Sequence, residues 1–308
     1  MSDRGTPGQA WACPVPSLLS PSTFDSDEAD DEDTGSMRVI PPVSAPAYGQ
    51  RGTPLRFETD EEARLFMHYV HDLSSWIDVC DRQCHFGLEV PRRACRFPLL
   101  SYGILAFSSR FIALVSGVGR GRAADYHSRA VQMLIPILDG PIEALDENLL
   151  AAIVLLHTDV GTHLYGSARL LNTASSLAAT GGLGEAASWV VLRQDIYVSL
   201  TKSQPLCIQL DHYRRSSSFI NGDAESLANR AVFLCGQVLA YAFGSGTTFP
   251  TLDVHEWTRL SDDADRWLMS MPVDFTPFWV DGIAGRNVDG SVFPVVWMTR
   301  PAHSECHG

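Results

Sequence analysis

The chain has 308 residues, 45% of them hydrophobic, and a formal net charge of −13. That length and apolar fraction suffice for one large domain or two small ones with a buried core and no stapling bonds, and the acidic balance excludes generic attraction to phosphate backbones. Seven cysteines (Cys13, Cys80, Cys84, Cys95, Cys207, Cys235 and Cys306) behind a start without signal-peptide character point to reduced thiols in a cytosolic or nuclear setting.

Residues 1–56 read as a disordered tail and linker. Eight acids, Asp3 and the seven of DSDEADDED, stand against Arg4 and Arg38 in the first 50 residues, which places −6 of the charge there. The segment is rich in Pro, Ser and Gly, and it has too few large apolar side chains to offset its ordering entropy. Residues 39–54, VIPPVSAPAYGQRGTP, continue it as a Pro-rich linker.

Order is predicted to begin at ETDEEARLFMHYVHDLSSWIDVC. Thr59 followed by Glu62 is a capping-box pattern, and Asp60 and Glu61 suit the positive end of a helix dipole. Leu65, Tyr69, Leu73, Trp76 and Cys80 form one stripe, widened by Phe66, Val70 and Ile77, so the helix should run to about Asp81. The apolar run from Phe97 is broken by Arg110 and diluted by Ser101, Ser108, Ser109 and Ser116. It therefore reads as a central buried helix over Pro98–Ser116 rather than a bilayer span. Ala123–Leu138 carries Tyr126, Ala130 and Leu134 on one stripe, with Pro136 kinking or ending it.

Asp146 is the expected N-cap of DENLLAAIVLLHTDV. THLYGSARLLNTASSLA follows, with Leu164, Ala168 and Leu171 in register. Glu185–Thr201 reads as a helix with Trp189, Leu192, Ile196 and Leu200 on its apolar side and Arg193-Gln194-Asp195 in its middle. Leu227, Ala231, Leu234, Val238 and Ala242 mark the next stripe, and Trp257, Leu260, Ala264 and Trp267 the last. No alternating strand and no fixed-period repeat stand out. The predicted class is all-α, a multi-helix domain over 57–308 with eight or nine helices around one core.

Motif searches return bland readings. Cys80, Cys84 and Cys95, with His85 beside them, supply one close pair where a structural zinc site needs four ligands, so they read as core or helix-end cysteines. GVGRGR (117–122) lacks the Gly-Lys-Ser/Thr ending of a phosphate loop and reads as a turn with solvated Arg120 and Arg122. His157, Asp159 and His163 read as a helix junction broken at Gly161 and capped by Thr162. No Gly-x-Ser-x-Gly elbow occurs, and GSG at 244–246 reads as a helix cap and loop. YRRSSS (213–218) and PRRACR (91–96) are short and read as surface charge. Catalytic, cofactor-binding and metal-ligating residues are accordingly expected to be none.

Six segments in order resemble one family: DEEARLFMHYVHDLSSWIDVCDR, FGLEVPRRACRFPLLSYGILAFSSR, AADYHSRAVQMLIPIL, LLAAIVLLHTDV, HLYGSARLL and ASWVVLRQDIYVSL. Together they are similar to the fungal-specific transcription factor domain, the helical regulatory region that follows the zinc binuclear cluster in fungal regulators. The resemblance spans about residues 57 to 300. It reads Trp189, Leu192, Arg193, Gln194, Asp195 and Tyr197 as a structural signature. On a helix Trp189, Arg193 and Tyr197 share a face. Arg193 is expected to anchor a neighbouring helix end or a buried carboxylate while Trp189 and Ile196 pack.

The resemblance implies a nuclear transcriptional regulator that works through protein partners of the transcription machinery or a homo- or heterodimer partner, with a possible small-molecule effector and no enzymatic activity, cofactor or membrane. Two departures accompany it. Residues 1–56 hold only Cys13 and an acidic run in place of a basic six-cysteine cluster, so direct DNA binding is not expected of this chain. The segment VFPVVWMTRPAHSECHG stands where family members carry further helices, so a C-terminally shortened core is expected. Residues 222–270 are the candidate dimer face, with Trp257, Trp267 and Phe243 as anchors or as core. The alternative is a helical small-molecule-binding protein or enzyme with a pocket between helices, polar at His157, His163 or Tyr126.

Overall fold

The first ordered turn forms where the capping residues put it. In the computed structural model, Thr59 Oγ1 accepts the Glu62 amide at 3.2 Å, and Glu62 Oε2 reaches back to the Glu58 amide at 2.8 Å. The structure describes residues 57–117, 119–140, 146–156, 171–172, 175–179, 181–244, 253–281 and 295–297. All of these fall in one unit, Ala45–Gly308. The expected tail over 1–56 and the candidates His157, Asp159 and His163 lie outside the described residues, as does most of THLYGSARLLNTASSLA.

Among the described residues the fold is all-α, 79% helical. Helix α1 spans Asp60–His68 and passes through a π-helical stretch, Tyr69–Leu73, into the short α2, Ser74–Ile77. Helices α3 (His85–Ala94), α4 (Pro98–Ser116), α5 (Arg120–Leu138) and α6 (Glu147–Leu156) follow. Then come α7 (Gly182–Lys202), α8 (Ala224–Phe243) and α9 (Val254–Met269), with 3-10 turns at Leu210–Arg215 and Ser217–Phe219 between α7 and α8.

Helix α4 is the hub. It packs against α1, α3, α5 and α6; α6 then packs on α7, α7 on α8 and α8 on α9. Helix α4 is long and apolar enough to cross a membrane, yet 56% of its most apolar window is buried inside the fold, which makes it the central helix the sequence predicts. Gly103 is what lets α6 approach it. A Cβ there would meet Leu155 Cβ and Cδ1, both at 3.3 Å. Helix α6 is apolar all round, and every residue from Asn148 to Leu156 is buried. Its start is fixed as expected, by Asp146 Oδ1 accepting the Leu149 amide at 2.9 Å.

Several expectations need correction. The first helix does not continue to Asp81 in one phase. The π-helical stretch inserts an extra residue per turn and rotates everything after it. Leu65, Tyr69 and Leu73 keep their places in the core, but Ile77 replaces Trp76, which is 46% exposed and lies edge-on to Phe111. The α8 stripe is also out of phase. Ala228, Val232, Phe233, Gly236 and Leu239 face the core with Leu227, whereas Ala231, Leu234 and Val238 are half-buried and Ala242 is exposed. Helix α3 is read from the sequence only as part of a family segment because Pro91 interrupts its pattern; the proline sits inside the helix. Helix α5 runs two residues past Pro136 before it ends. Among the described residues strands exist as one short antiparallel pair, β1 (Trp279–Asp281) with β2 (Val295–Trp297), in the segment where no strand is predicted.

The close approach at Gly103 yields a test. Gly103→Ala forces Leu155 to move in a packed core and should cost about 1–3 kcal/mol in urea unfolding despite the better helix propensity of alanine; equal or higher stability would show that α4 and α6 are not seated as described.

Candidate functional site

Polar side chains gather where four elements meet: the turn after α2, the start of α3, the first half of α7, and the 3-10 turns running into α8. They line a cleft of about 770 Å³. Three helices begin there, and each presents amide donors with no partner inside its own helix. The sequence supplies a carboxylate to each of them.

At α3, Asp78 Oδ1 and Oδ2 accept the amides of Phe86 and Gly87 at 2.9 and 2.7 Å. Asp81 Oδ2 accepts the His85 amide at 2.7 Å and faces His85 Nδ1 at 2.8 Å, while its Oδ1 accepts the Gln83 amide at 3.1 Å. At α7, Glu185 Oε2 accepts the Gly181 amide at 2.9 Å. At α8, Asp223 Oδ1 accepts the Ser226 amide at 2.8 Å. The turn into α3 is tight enough to hold Cys84 at a φ of 52°.

Glu185 does more than cap. It is buried, and its Oε1 accepts Ser216 Oγ at 2.6 Å, Ser217 Oγ at 2.6 Å and the Ser217 amide at 2.8 Å. Trp189 Nε1 donates to the same Ser216 Oγ at 3.2 Å. Tyr213, fully buried and tilted against Trp189, donates to Ser188 O at 2.7 Å. Buried Ser216 and exposed Ser217 within YRRSSS are thus joint ligands for one buried carboxylate, which charge counting cannot reveal. Of the arginines there, Arg214 pairs at the surface with Asp211.

The Arg193-Gln194-Asp195 triplet divides its work. Arg193 Nη2 donates to Ile77 O at 2.9 Å, the carbonyl at the C-terminal end of α2, so it anchors a helix end as the sequence suggests. Asp195 is completely buried, and its Oδ2 accepts the amides of Cys207 and Ile208 at 2.8 and 2.9 Å. Trp189 and Leu192 are in the core, Ile196 is half-buried against it, and Leu200 at the end of the stripe is 54% exposed.

The remaining candidates fall as follows. Cys80 is buried, whereas Cys84 and Cys95 are exposed; among the described residues no group of three or more His, Cys, Asp or Glu is placed to hold a metal ion. Arg120 is exposed, and Arg122 pairs with Glu61 at the surface. Arg93 of PRRACR is not ordinary surface charge. It reaches Glu89, Glu147 at 2.6 Å and Asn148 at 2.7 Å, and so ties α3 to the start of α6. Tyr126 is buried beside Glu62, away from the cleft. Of GSG, only Gly244 is described, at the end of α8.

Burial and neighbours set the titration of these carboxylates and of His85. Desolvation pushes Asp78 up to about 7 despite the two amides that favour its charged form. The bond to Asp81 raises His85 against its own desolvation, and His85 with the capped amides holds Asp81 below its ordinary value although burial opposes them. Burial likewise raises Asp195, only partly offset by its amide donors. No protein family, no curated protein and no solved structure matches the chain.

Two predictions come from these bonds. Arg193→Ala should lower unfolding free energy by about 1.5–3 kcal/mol, and Asp195→Ala by at least as much because two buried amides lose their acceptor; urea denaturation of both variants, each still unfolding in one transition, checks this, and an unchanged midpoint for either removes its anchoring role. The second concerns pH. Asp78 has a folded-state value above its ordinary 3.8, so the folded chain holds that proton more tightly than the unfolded chain. Its contribution to stability is full below the ordinary value and is lost as pH rises towards about 7. His85, also raised, loses its contribution in the same direction as pH passes above 6.5. Asp78→Asn removes the first effect, so the variant should gain on the wild type between about pH 4 and about pH 7; a stability difference that does not change across that range would contradict the shift.

Proposed function

We propose that the chain is a nuclear transcriptional regulator, or the regulatory part of one, that works through protein contacts. The six ordered segments similar to the fungal-specific transcription factor domain support this reading, together with an all-α fold in which the signature is architectural. Arg193 holds an α2 carbonyl through one N–H, and Asp195 holds two backbone amides through one oxygen. Their bonds serve packing rather than chemistry on a substrate.

The single observation that carries a protein-contact role is the outer surface of α9 and the segment after it. Val254 and Trp257, one turn apart, are 67% and 53% exposed, and Leu268 and Met269 at the other end are 54% and 89% exposed. Of the candidate anchors, Trp257 is the one open to a partner, beside Tyr241. Trp267 is half-buried and donates to Leu227 O at 3.1 Å, and Phe243 is half-buried. Homo- or heterodimerisation and binding to the transcription machinery are both served by such a surface. Sequence-specific DNA contact is left to a partner or to residues outside this chain.

A second reading is favoured by the cleft of about 770 Å³: a helical protein that binds a small molecule between its helices, as a regulator's effector site or in its own right.

The regulator reading is tested by tethering. The full chain fused to an unrelated sequence-specific DNA-binding domain should enter the nucleus of a fungal cell and change expression of a reporter bearing the matching site, and Trp257→Ala with Met269→Ala should abolish most of the change at equal protein level. A reporter indifferent to the fused chain overturns the reading.

A further inference from the structure

Helices α8 and α9 pack on each other and leave a groove of about 430 Å³ along their joint. Its walls follow from spacing. Arg230, Phe233 and Leu234 lie at i, i+3 and i+4 on α8, and Arg259, Asp263 and Arg266 at i, i+4 and i+7 on α9, so each set shares one helix face. Contacts fix how the walls meet. Trp267 Nε1 donates to Leu227 O at 3.1 Å, which seats the end of α9 on the start of α8. Arg230 donates through Nε to Ser218 O at 2.7 Å and through Nη2 to Asn221 O, and so lies against the 3-10 turn at Ser217–Phe219. Phe219 of that turn stands edge-on to Phe233, with ring centroids 5.1 Å apart. The Arg214 guanidinium sits 5.6 Å from the centre of the same Phe233 ring.

The groove is apolar at its floor and cationic at its rim. Phe233 is buried, Leu234 and Trp267 are half-buried, and Phe219 is exposed. Four arginines line it against a single carboxylate, Asp263, in a chain whose net charge is −13. Not all four are open. Arg259 spends Nε, Nη1 and Nη2 on Glu256 and Asp263. Arg266 uses Nη1 on Asp263, and Arg214 uses Nε on Asp211; their side chains are 72% and 58% exposed. A guanidinium carries five N–H donors, so most donors of these two remain for a further acceptor. Arg230 is held by carbonyl oxygens and has no carboxylate partner among the described residues. Exposed ion pairs of this kind are worth ~0–1 kcal/mol, so an incoming carboxylate shares or replaces the present partner at little cost.

Arginines beside aromatic rings suit carboxylates that alternate with apolar side chains. A continuous phosphate backbone is less well matched, because Asp263, Asp211 and Glu256 stand among the same arginines. We propose that this groove docks an acidic peptide segment of a partner protein, with an aromatic or aliphatic side chain on the apolar floor and flanking carboxylates on Arg214, Arg230 and Arg266. The proposal rests on the protein-contact reading and gives that partner its chemistry. It uses a different face of α9 from the one that carries Trp257 and Leu268.

The test titrates the full chain into a fluorescein-labelled dodecapeptide repeating Asp-Phe-Asp-Asp, and into three matched probes: the same peptide with Asn for every Asp, the same with Ala for every Phe, and a single-stranded DNA of equal charge. Fluorescence anisotropy should show the acidic aromatic peptide saturating about tenfold or more tighter than the Asn and Ala peptides, and weakening as salt rises. Arg214→Gln with Arg266→Gln removes two exposed guanidinium groups whose surface pairs add little to stability, so the double variant should keep its unfolding transition and lose about tenfold or more in affinity. Equal binding by the double variant, by the Asn peptide or by the Ala peptide overturns the proposal. DNA that binds as tightly as the peptide, and loses affinity in the same variant, makes the groove a general anion site and overturns the peptide class. If no peptide binds while the tethered chain still drives its reporter, the groove assignment falls and the protein-contact reading stands; if the reporter is silent as well, both fall.

Discussion

The anchor on which the middle of the fold depends is the bond from Arg193 to the carbonyl of Ile77. Helix α2 is four residues long and ends in the interior, where its last carbonyls have no intrahelical donor. A guanidinium from α7 supplies one. With that end fixed, Asp78 leaves the helix at the right place to cap α3, and Asn229 of α8 reaches the carbonyl of Cys80 two residues further on. One turn of chain thus takes bonds from α7 and α8 and gives caps to α3. Replacing the arginine by an apolar residue of similar length would restore the packing but leave the carbonyl without a donor.

Helix α7 shows how a helix can be buried on most faces and still carry charge. Its apolar residues include Leu183, Val190, Val191, Leu192 and Val198, all buried, so no side of it is left for solvent in its first half. Glu185 and Asp195 are tolerated there because each meets backbone amides or serine hydroxyls from the segment 207–217 that folds across the helix. The carboxylates select the path of that segment: an apolar residue at either place would bury as well but would not hold the chain at a fixed register. A net charge of −13 therefore says little about the cleft. Asp81, Glu185 and Asp223 are each bonded to amides at helix starts.

Legibility in the sequence follows how local the cause is. Caps at Thr59, Asp146 and Asp223 depend on residues three apart, and Thr59 and Asp146 are readable as caps from the order of residues alone. Helices α4 and α6 are readable because their apolar content survives any phase error. Trp76 and the α8 stripe depart from their expected places because phase is not local. A π-helical turn at Tyr69–Leu73 shifts the register by one residue, and the contact of α8 with the 206–210 segment is made through Gly236, a residue with no side chain to register in an apolar pattern. Helix α3 is hidden by Pro91, although its start is made by the remote Asp78 and its flank is held by Glu147 of α6.

The candidate site is the least legible part for the same reason. Along the chain its residues group with their sequence neighbours: a cysteine at residue 80 with others near it, serines near residue 216. The fold sorts them otherwise. Ser216 and Ser217 become ligands of Glu185, 31 and 32 residues away, and Asn229 bonds a carbonyl 149 residues away. A side chain whose partner lies that far off carries no periodic signature, whether its role is to brace the fold or to meet a ligand. Satisfaction differs among these braces: Glu185 has both oxygens bonded within the chain, whereas Asn229 holds its place with its nitrogen while its buried oxygen makes no bond. Asp195 does the same, holding the amides of Cys207 and Ile208 through Oδ2 with its buried Oδ1 unpaired, so a residue can fix the path of the chain without closing every valence.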